Sequence, residues 1–302
     1  MDRPAIRIHP ESRATGESSR ALHGKSTAAS TGSDCAGGHL ATPRDAGPAL
    51  RLRYRSYIVI PARLASTRLP QKLLLRETGK PLIQHTYESA LSAARPMGLC
   101  VAADDQQIVA EVERFGGRAV LTDPAARCGT DRVAEVARSM PEVDVFVNVQ
   151  GDEPEISGTA IDLVIQMLEQ HPDVPMSTLA TPIRTRAQLL DPACVKVVRN
   201  TAGEALYFSR SPIPHARTWD DQLLASDPPC FLQHVGLYAY RRDFLLKLSQ
   251  LPAAPLEEVE KLEQLRVLAA GYKILVGIID EPTIGIDTWQ DYRAFVNRLG
   301  SC

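Results

Sequence analysis

Apolar and polar positions follow no period over residues 1 to about 55 of this chain, and then take up a regular one. Tyr57-Ile-Val-Ile60 is a short β-branched run, the pattern of a strand buried on both faces. A polar loop runs to about Gly79, and Pro81 opens a helix in the first-turn position that proline favours. Leu99–Ala103 predicts a second buried strand, and Gln107–Phe115 a helix that Gly116-Gly117 stops. Arg118–Leu121 predicts a third strand, Thr130–Met140 a helix, and Val143–Val149 the strongest strand of the series. Strand and helix units alternating at this length predict an α/β fold, a mostly parallel sheet with helices on both faces.

The second half breaks the alternation. Val195–Arg199, Leu206–Ser209 and Val235–Tyr240 read as strands around a proline-rich loop near 212–230. A helix is expected over Leu256–Ala270, a strand over Lys273–Ile279, and a last helix after Gly285-Ile-Asp-Thr288. The pattern therefore gives one α/β domain over 56–302 with a smaller antiparallel lobe, and no internal repeat. Residues 1–55 carry nine Lys and Arg against five Asp and Glu, rich in Ser, Thr, Ala and Gly. They read as a disordered N-terminal extension, or as translated sequence upstream of the true start. The five acids and the missing apolar core speak against a transit or signal peptide.

Composition narrows the function classes. With 44% hydrophobic and 23% charged residues the chain is ordinary globular protein. A net charge of -2 and a pI near 6.4 give no footprint for a nucleic-acid phosphate backbone. The six cysteines, at 35, 100, 128, 194, 230 and 302, form no C-x-x-C pair and no zinc spacing, and read as free thiols of a reducing, cytoplasmic protein. No apolar run is long enough to span a bilayer.

In an open parallel sheet ligands bind beyond the carboxyl ends of the strands. Three segments qualify: the loop after Ile60, the loop after Ala103, and Gln150-Gly-Asp-Glu-Pro154. The first holds Arg63, Ser66, Thr67, Arg68 and Lys72 within twelve residues. Two guanidinium forks, an ammonium and two hydroxyls suit a triphosphate that is losing pyrophosphate. The competing reading is a solvated basic loop, and its place after a buried strand favours the phosphate. Neither a G-x-x-x-x-G-K-[ST] nor a strand-borne G-x-G-x-x-G occurs, which excludes a P-loop and a dinucleotide fingerprint. Asp152 and Asp287 each follow a glycine-containing turn at a strand end. Each reads either as a ligand for a hard cation or as local structure, a turn residue for Asp152 and a helix N-cap for Asp287.

Seven segments, in order, carry a family resemblance. They are Ile60–Lys72, Arg127-Cys-Gly-Thr-Asp-Arg132, Val147–Pro154, Leu206–Arg210, Gln233-His-Val-Gly-Leu-Tyr238, Leu256–Arg266 and Gly285–Thr288. The chain from Tyr57 to Leu299 resembles the CMP-KDO synthetase family, 3-deoxy-manno-octulosonate (KDO) cytidylyltransferases. The resemblance implies a Rossmann-like nucleotidyltransferase fold, CTP and KDO as substrates, and Mg²⁺ on Asp152 and Asp287. It implies Arg63 and Lys72 as catalytic residues beside those two. Ser66, Thr67, Arg68, Arg132 and Gln150 join Arg63 and Lys72 as nucleotide contacts. It places Arg210, His234, Tyr238, Glu263 and Gln264 around the sugar acid. It further implies a homodimer, and a product that feeds lipopolysaccharide assembly.

Two positions depart from the family pattern: Cys128 where Ser is usual, and Ala103 where Thr is usual. An ion pair within its own helix, for example with Glu135, is the competing reading of Arg132. Solvated helix surface is that of Glu263 and Gln264, and core packing that of Tyr238. An 8-amino analogue of KDO is an open alternative acceptor. Sialic acid is disfavoured because the first loop is not glycine-rich. A catalytically inactive nucleotide-binding protein would have shed the loop cations or the carboxylates, and a hexose-phosphate nucleotidyltransferase would carry G-x-G-T-R-L.

Overall fold

The computed structural model describes residues 53–280 and 284–300. Most of the expected N-terminal extension, residues 1–52, lies outside the described residues, and the first strand begins at Ser56.

Strands β1 (Ser56–Ala62), β2 (Leu99–Ala103), β3 (Ala119–Leu121) and β4 (Val145–Asn148) run parallel. Helices α1 (Leu82–Ala90), α2 (Gln106–Arg114) and α3 (Gly129–Arg138) connect them. Side chains alternate across a strand, and both faces of β1 are apolar. Ile58 and Ile60 pack with Leu82 of α1 and Ile108 of α2 in one core. Tyr57 and Val59 pack with Val133 and Val136 of α3 in the other. An uninterrupted apolar run is what a strand covered twice requires.

Further along come α4 (Gly158–Gln170), β5 (Met176–Pro182), α5 (Arg186–Leu190), β6 (Lys196–Arg199) and β7 (Ala205–Ser209). They are followed by β8 (Leu232–Arg241) and α6 (Arg242–Leu248). The chain closes with α7 (Pro255–Glu260), α8 (Gln264–Ala269), β9 (Ile274–Ile278) and α9 (Trp289–Gly300). The main sheet has the order β3-β2-β1-β4-β8-β5-β9. The antiparallel part is threaded into it: β8 pairs antiparallel with β4 and β5, and the β6–β7 hairpin hangs from β8.

Two differences from the pattern reading bear on the site. First, α4 and β5 escape it. β5 reads M-S-T-L-A-T-P, yet Ser177, Thr178 and Thr181 are buried. Their hydroxyls are satisfied locally, Ser177 Oγ donating to Val164 O at 2.7 Å, so a polar-looking run can sit mid-sheet. Second, the single helix expected over Leu256–Ala270 is two. Lys261 takes a left-handed conformation at φ 53, which ends α7 and redirects the chain. The apolar stripe of one continuous helix is therefore absent: Leu262 and Leu265 are buried, whereas Val259 is 82% exposed.

Candidate active site

The loop after β1 is pinned by its apolar residues. Leu69 and Leu73 are buried in the core, and a 3-10 turn begins at Lys72. The polar residues before Leu69 line a cleft of about 400 Å³: Arg63, Ser66, Thr67 and Arg68, together with Lys72, Asp152 and Asp287. Gly151 permits the closeness, since a Cβ there would lie 3.1 Å from the carbonyl oxygen of Pro61. The Ile286 amide donates to Asp152 O at 2.9 Å, joining the two acidic segments through the backbone.

Lys72 stands between the acids. Its ammonium is paired with Asp152 and donates to Asp287 Oδ1 at 3.1 Å and to the carbonyl of Ile286 at 3.0 Å. Arg68 Nη2 lies 3.0 Å from the same Asp287 oxygen. The N-cap reading of Asp287 fails here. Thr288 is the capping residue, its amide and hydroxyl bonding Asp291 Oδ2 while its Oγ1 accepts from the Asp291 amide. Asp287 is left facing the cations. Two carboxylates that meet on one ammonium can share one metal ion, and Mg²⁺ takes one or two carboxylates plus substrate phosphates and water. The donor set fits that ion. Among the described residues no group of three or more His, Cys, Asp or Glu forms a self-sufficient metal cage.

Arg132 stands apart from both spaces. It is 0% exposed and lines neither the cleft nor the neighbouring cavity. Its Nη1 donates to Thr122 Oγ1 at 2.9 Å and to Asp123 O at 2.8 Å, and Nη2 faces Asp104 Oδ2 at 3.6 Å. Burial holds its pKa below the usual arginine value, with Asp104 opposing. Nor is it a helix-surface ion pair, because Glu135 instead accepts from the Asp123 amide.

Beside the cleft lies a second cavity of about 330 Å³, and Gly129 and Gln150 line both. Its wall is the even-numbered face of β8, where His234, Gly236, Tyr238 and Tyr240 look inward while Val235, Leu237 and Ala239 fill the core. The break at Lys261 sets Glu263 and Gln264 against that wall. Thr130 Oγ1 donates to Glu263 Oε2 at 2.8 Å. The Tyr238 hydroxyl reaches Gln264 Oε1 at 3.4 Å. Gln264 Nε2 is buried with no hydrogen-bond partner among the described residues. Gln264 is buried and so is not solvated helix surface, whereas Glu263 stays exposed and Tyr238 packs against the core while lining the cavity.

Burial depresses the His234 pKa to about 3, so the ring is neutral. Thr178 Oγ1 lies 3.1 and 2.9 Å from the carbonyls of Val235 and Leu237, which only accept, and 3.0 Å from His234 Nε2. Its one proton goes to a carbonyl, so Nε2 donates to it and Nδ1 is left as an acceptor.

Arg210 likewise stands apart from the cavity. Its guanidinium is spent on main-chain carbonyls, Nε on Glu260 O at 2.8 Å and Nη1 on Pro192 O at 3.0 Å, and it does not line the cavity. Lys261 and Arg266 are the lining cations, and Arg266 is paired with the buried Glu257. Thr130, Asn148, Lys261 and Arg266 also line the cavity without having been singled out. All four lie inside the quoted family segments, so the signal was present. Cys128 sits at the N-cap of α3 without a side-chain cap bond, and burial with the Glu263 charge pushes its thiol up to about 12. It is a neutral thiol and no nucleophile.

Comparison with known proteins bears on this arrangement. Residues 57–274 match the model of a cytidylyltransferase family. A 3-deoxy-manno-octulosonate cytidylyltransferase of Rhodopirellula baltica is 49% identical over 245 residues, 81% of this chain and 98% of the relative. One of Escherichia coli is 44% identical over 234 residues, covering 78% and 92%. A solved CMP:2-keto-3-deoxy-manno-octonic acid synthetase in complex with CTP superposes with a TM-score of 0.76 at 41% identity, over 82% of this chain and 99% of that one. No helix of the described residues is long and apolar enough to cross a membrane. With the fold, the paired cavities and a likeness that runs nearly the full length of these relatives, the chain belongs to the 3-deoxy-manno-octulosonate cytidylyltransferase family.

Proposed function

We infer that the two cavities hold the two substrates of one transfer, CTP in the cleft of the basic loop and KDO in the cavity beside it. The observation that carries this reading is the shared wall: Gly129 and Gln150 line both spaces, so ligands filling them meet there. A KDO hydroxyl attacks the α-phosphorus in line, CMP-KDO forms and pyrophosphate leaves. Holding both reactants in register supplies much of the acceleration. Arg63, Arg68 and Lys72 grip the phosphates, with Ser66 and Thr67 donating beside them, and take up the charge that moves onto the leaving oxygens. Gln150 presents an amide edge to cytosine.

Asp152 and Asp287 hold Mg²⁺, which when bound neutralises phosphate charge and lowers the pKa of the attacking hydroxyl. His234 is too weak a base at pKa about 3 to take that proton. It orients the sugar through Nδ1, with Tyr238, Glu263 and Gln264 on the other hydroxyls. The sugar carboxylate meets Lys261 at the cavity rim in exchange for the exposed Glu258 partner, whereas Arg210 is held by main-chain carbonyls and Arg266 by the buried Glu257. The protein works in the cytoplasm as a homodimer, and its product serves lipopolysaccharide assembly.

The test is pyrophosphate release from CTP by the purified protein, with KDO and Mg²⁺ present or omitted. Release that needs both, and that Asp152→Ala nearly abolishes, is expected. Release with 8-amino-KDO alone changes the acceptor, and silence with every sugar acid from a folded, CTP-binding protein refutes the transfer.

A further inference from the structure

Asp104 and Arg132 form a chain of contacts that ends on the phosphate loop without touching the cleft. Asp104 follows the last residue of β2, and its two carboxylate oxygens face different ways. Oδ1 accepts from the Leu64 amide at 2.8 Å. Oδ2 faces Arg132 Nη2 at 3.6 Å. Its own amide donates to Ala62 O at 3.1 Å, so residues on both sides of Arg63 are tied to this one aspartate. Arg132 in turn is braced by Thr122 Oγ1 and Asp123 O, and Thr122 Oγ1 donates to Ala103 O at 2.9 Å.

A guanidinium with 0% exposure is costly to bury. A buried ion pair gains little stability over apolar packing of the same volume, and the best-attested return is a fixed geometry. Here the fixed object is the backbone between Arg63 and Ser66, which has few other ties: Arg63 Nη2 reaches Ala126 O at 3.1 Å from an exposed side chain. We propose that Asp104, held by Arg132, is the positioning residue that sets the phosphate loop in its CTP-binding form. The proposal rests on reading this loop as the phosphate site. It also assigns a use to Arg132 that needs no contact with nucleotide.

The experiment compares Asp104→Ala, Asp104→Asn and Arg63→Ala with the wild-type enzyme. The readouts are the CTP dissociation constant by calorimetry, KM for each substrate, and amide hydrogen exchange of residues 62–68. Asp104→Ala removes the acceptor for the Leu64 amide. It should weaken CTP binding by 10-fold or more, raise exchange of that segment at least 10-fold, and leave KM for KDO within 2-fold. Asn keeps an acceptor oxygen and should restore CTP affinity to within about 3-fold. Arg132→Met should follow Asp104→Ala if it folds, and the Asp104 pair decides the matter if it does not. If Arg63→Ala weakens CTP binding while Asp104→Ala leaves it within 2-fold, the positioning role is wrong and the phosphate site stands. Unchanged CTP affinity in Arg63→Ala overturns the phosphate reading and this proposal with it. A fall in affinity for both substrates in Asp104→Ala, with exchange raised throughout the chain, marks a general loss of structure and also overturns it.

Discussion

Lys72 occupies the oxygens to which a divalent ion is assigned, and this makes a prediction about the nucleotide-free protein. Its ammonium is paired with Asp152 and lies 3.1 Å from Asp287 Oδ1. At that spacing two unit charges attract by roughly 5 kcal/mol under an effective dielectric of about 20. Most of this is offset by lost hydration, and the Asp287 side chain is 47% exposed, so screening reduces it further. A net of about 1 kcal/mol from this pair, and about as much from the more enclosed Asp152, is the reasonable scale. A metal entering before CTP must displace that much interaction, whereas the triphosphate draws Lys72 away. Lys72→Met should therefore bind Mn²⁺, a reporter for Mg²⁺, about 10- to 30-fold more tightly without nucleotide. The free-Mn²⁺ resonance signal during titration of nucleotide-free protein measures it, and Asp152→Asn should weaken binding in both backgrounds. Equal Mn²⁺ affinity in wild type and Lys72→Met would refute the reasoning, because the ammonium would then not compete for these oxygens.

Three further outcomes follow from single contacts. His234 has a folded pKa of about 3 against an ordinary 6.5, so the unfolded chain binds the extra proton between those values. Its stabilisation is complete above pH 6.5 and is lost as pH falls toward 3. Denaturant melts should show wild type losing roughly 1 kcal/mol more than His234→Gln between pH 6.5 and 5, the cavity's access to solvent reducing the full linkage value. Arg210→Met removes bonds to three carbonyls and should cost about 1–3 kcal/mol in a urea melt while KM for KDO moves less than 3-fold. A large rise in that KM would return Arg210 to the sugar site. Cys128→Ser supplies the missing cap bond of α3 and should stabilise by about 0.5–1 kcal/mol with activity retained, as melts and pyrophosphate release will show.

The sequence by itself determined the parallel half of the sheet and the ends that carry chemistry. β1, β2 and β4 are buried on both faces, so their apolar runs are nearly unbroken, Asn148 in β4 being the exception, and polar residues mark the loops that follow. Those residues are Arg63, Asp104 and Gln150, each just past a strand in a loop that the fold turns toward the ligand. The alternation of β8 likewise separated His234, Gly236 and Tyr238 from the core residues between them. What pattern could not carry was polar structure satisfied in three dimensions. β5 was hidden because its serines and threonines find backbone partners only once α4 and β8 are packed against it. The two-helix form of 255–269 depends on one left-handed residue, Lys261, in a stretch whose spacing fits a single helix as well.

Only the tertiary structure decided the roles of the charged groups. Arg132 and Arg210 look like ligand-binding arginines in the sequence, but long-range partners, Asp104 in one case and the carbonyls of Pro192 and Glu260 in the other, hold them away from the cavities. Asp287 is a different case: the cap of α9 is the local Thr288-x-x-Asp291 pair, and only the facing of Asp287 toward Lys72 and Arg68 needed the fold. A charge's function is set by which groups face it across the fold, and apolar periodicity carries no record of that. Hydrophobic burial is a local property repeated along each element and so is written in the sequence, whereas the pairing of polar groups is a property of the assembled molecule.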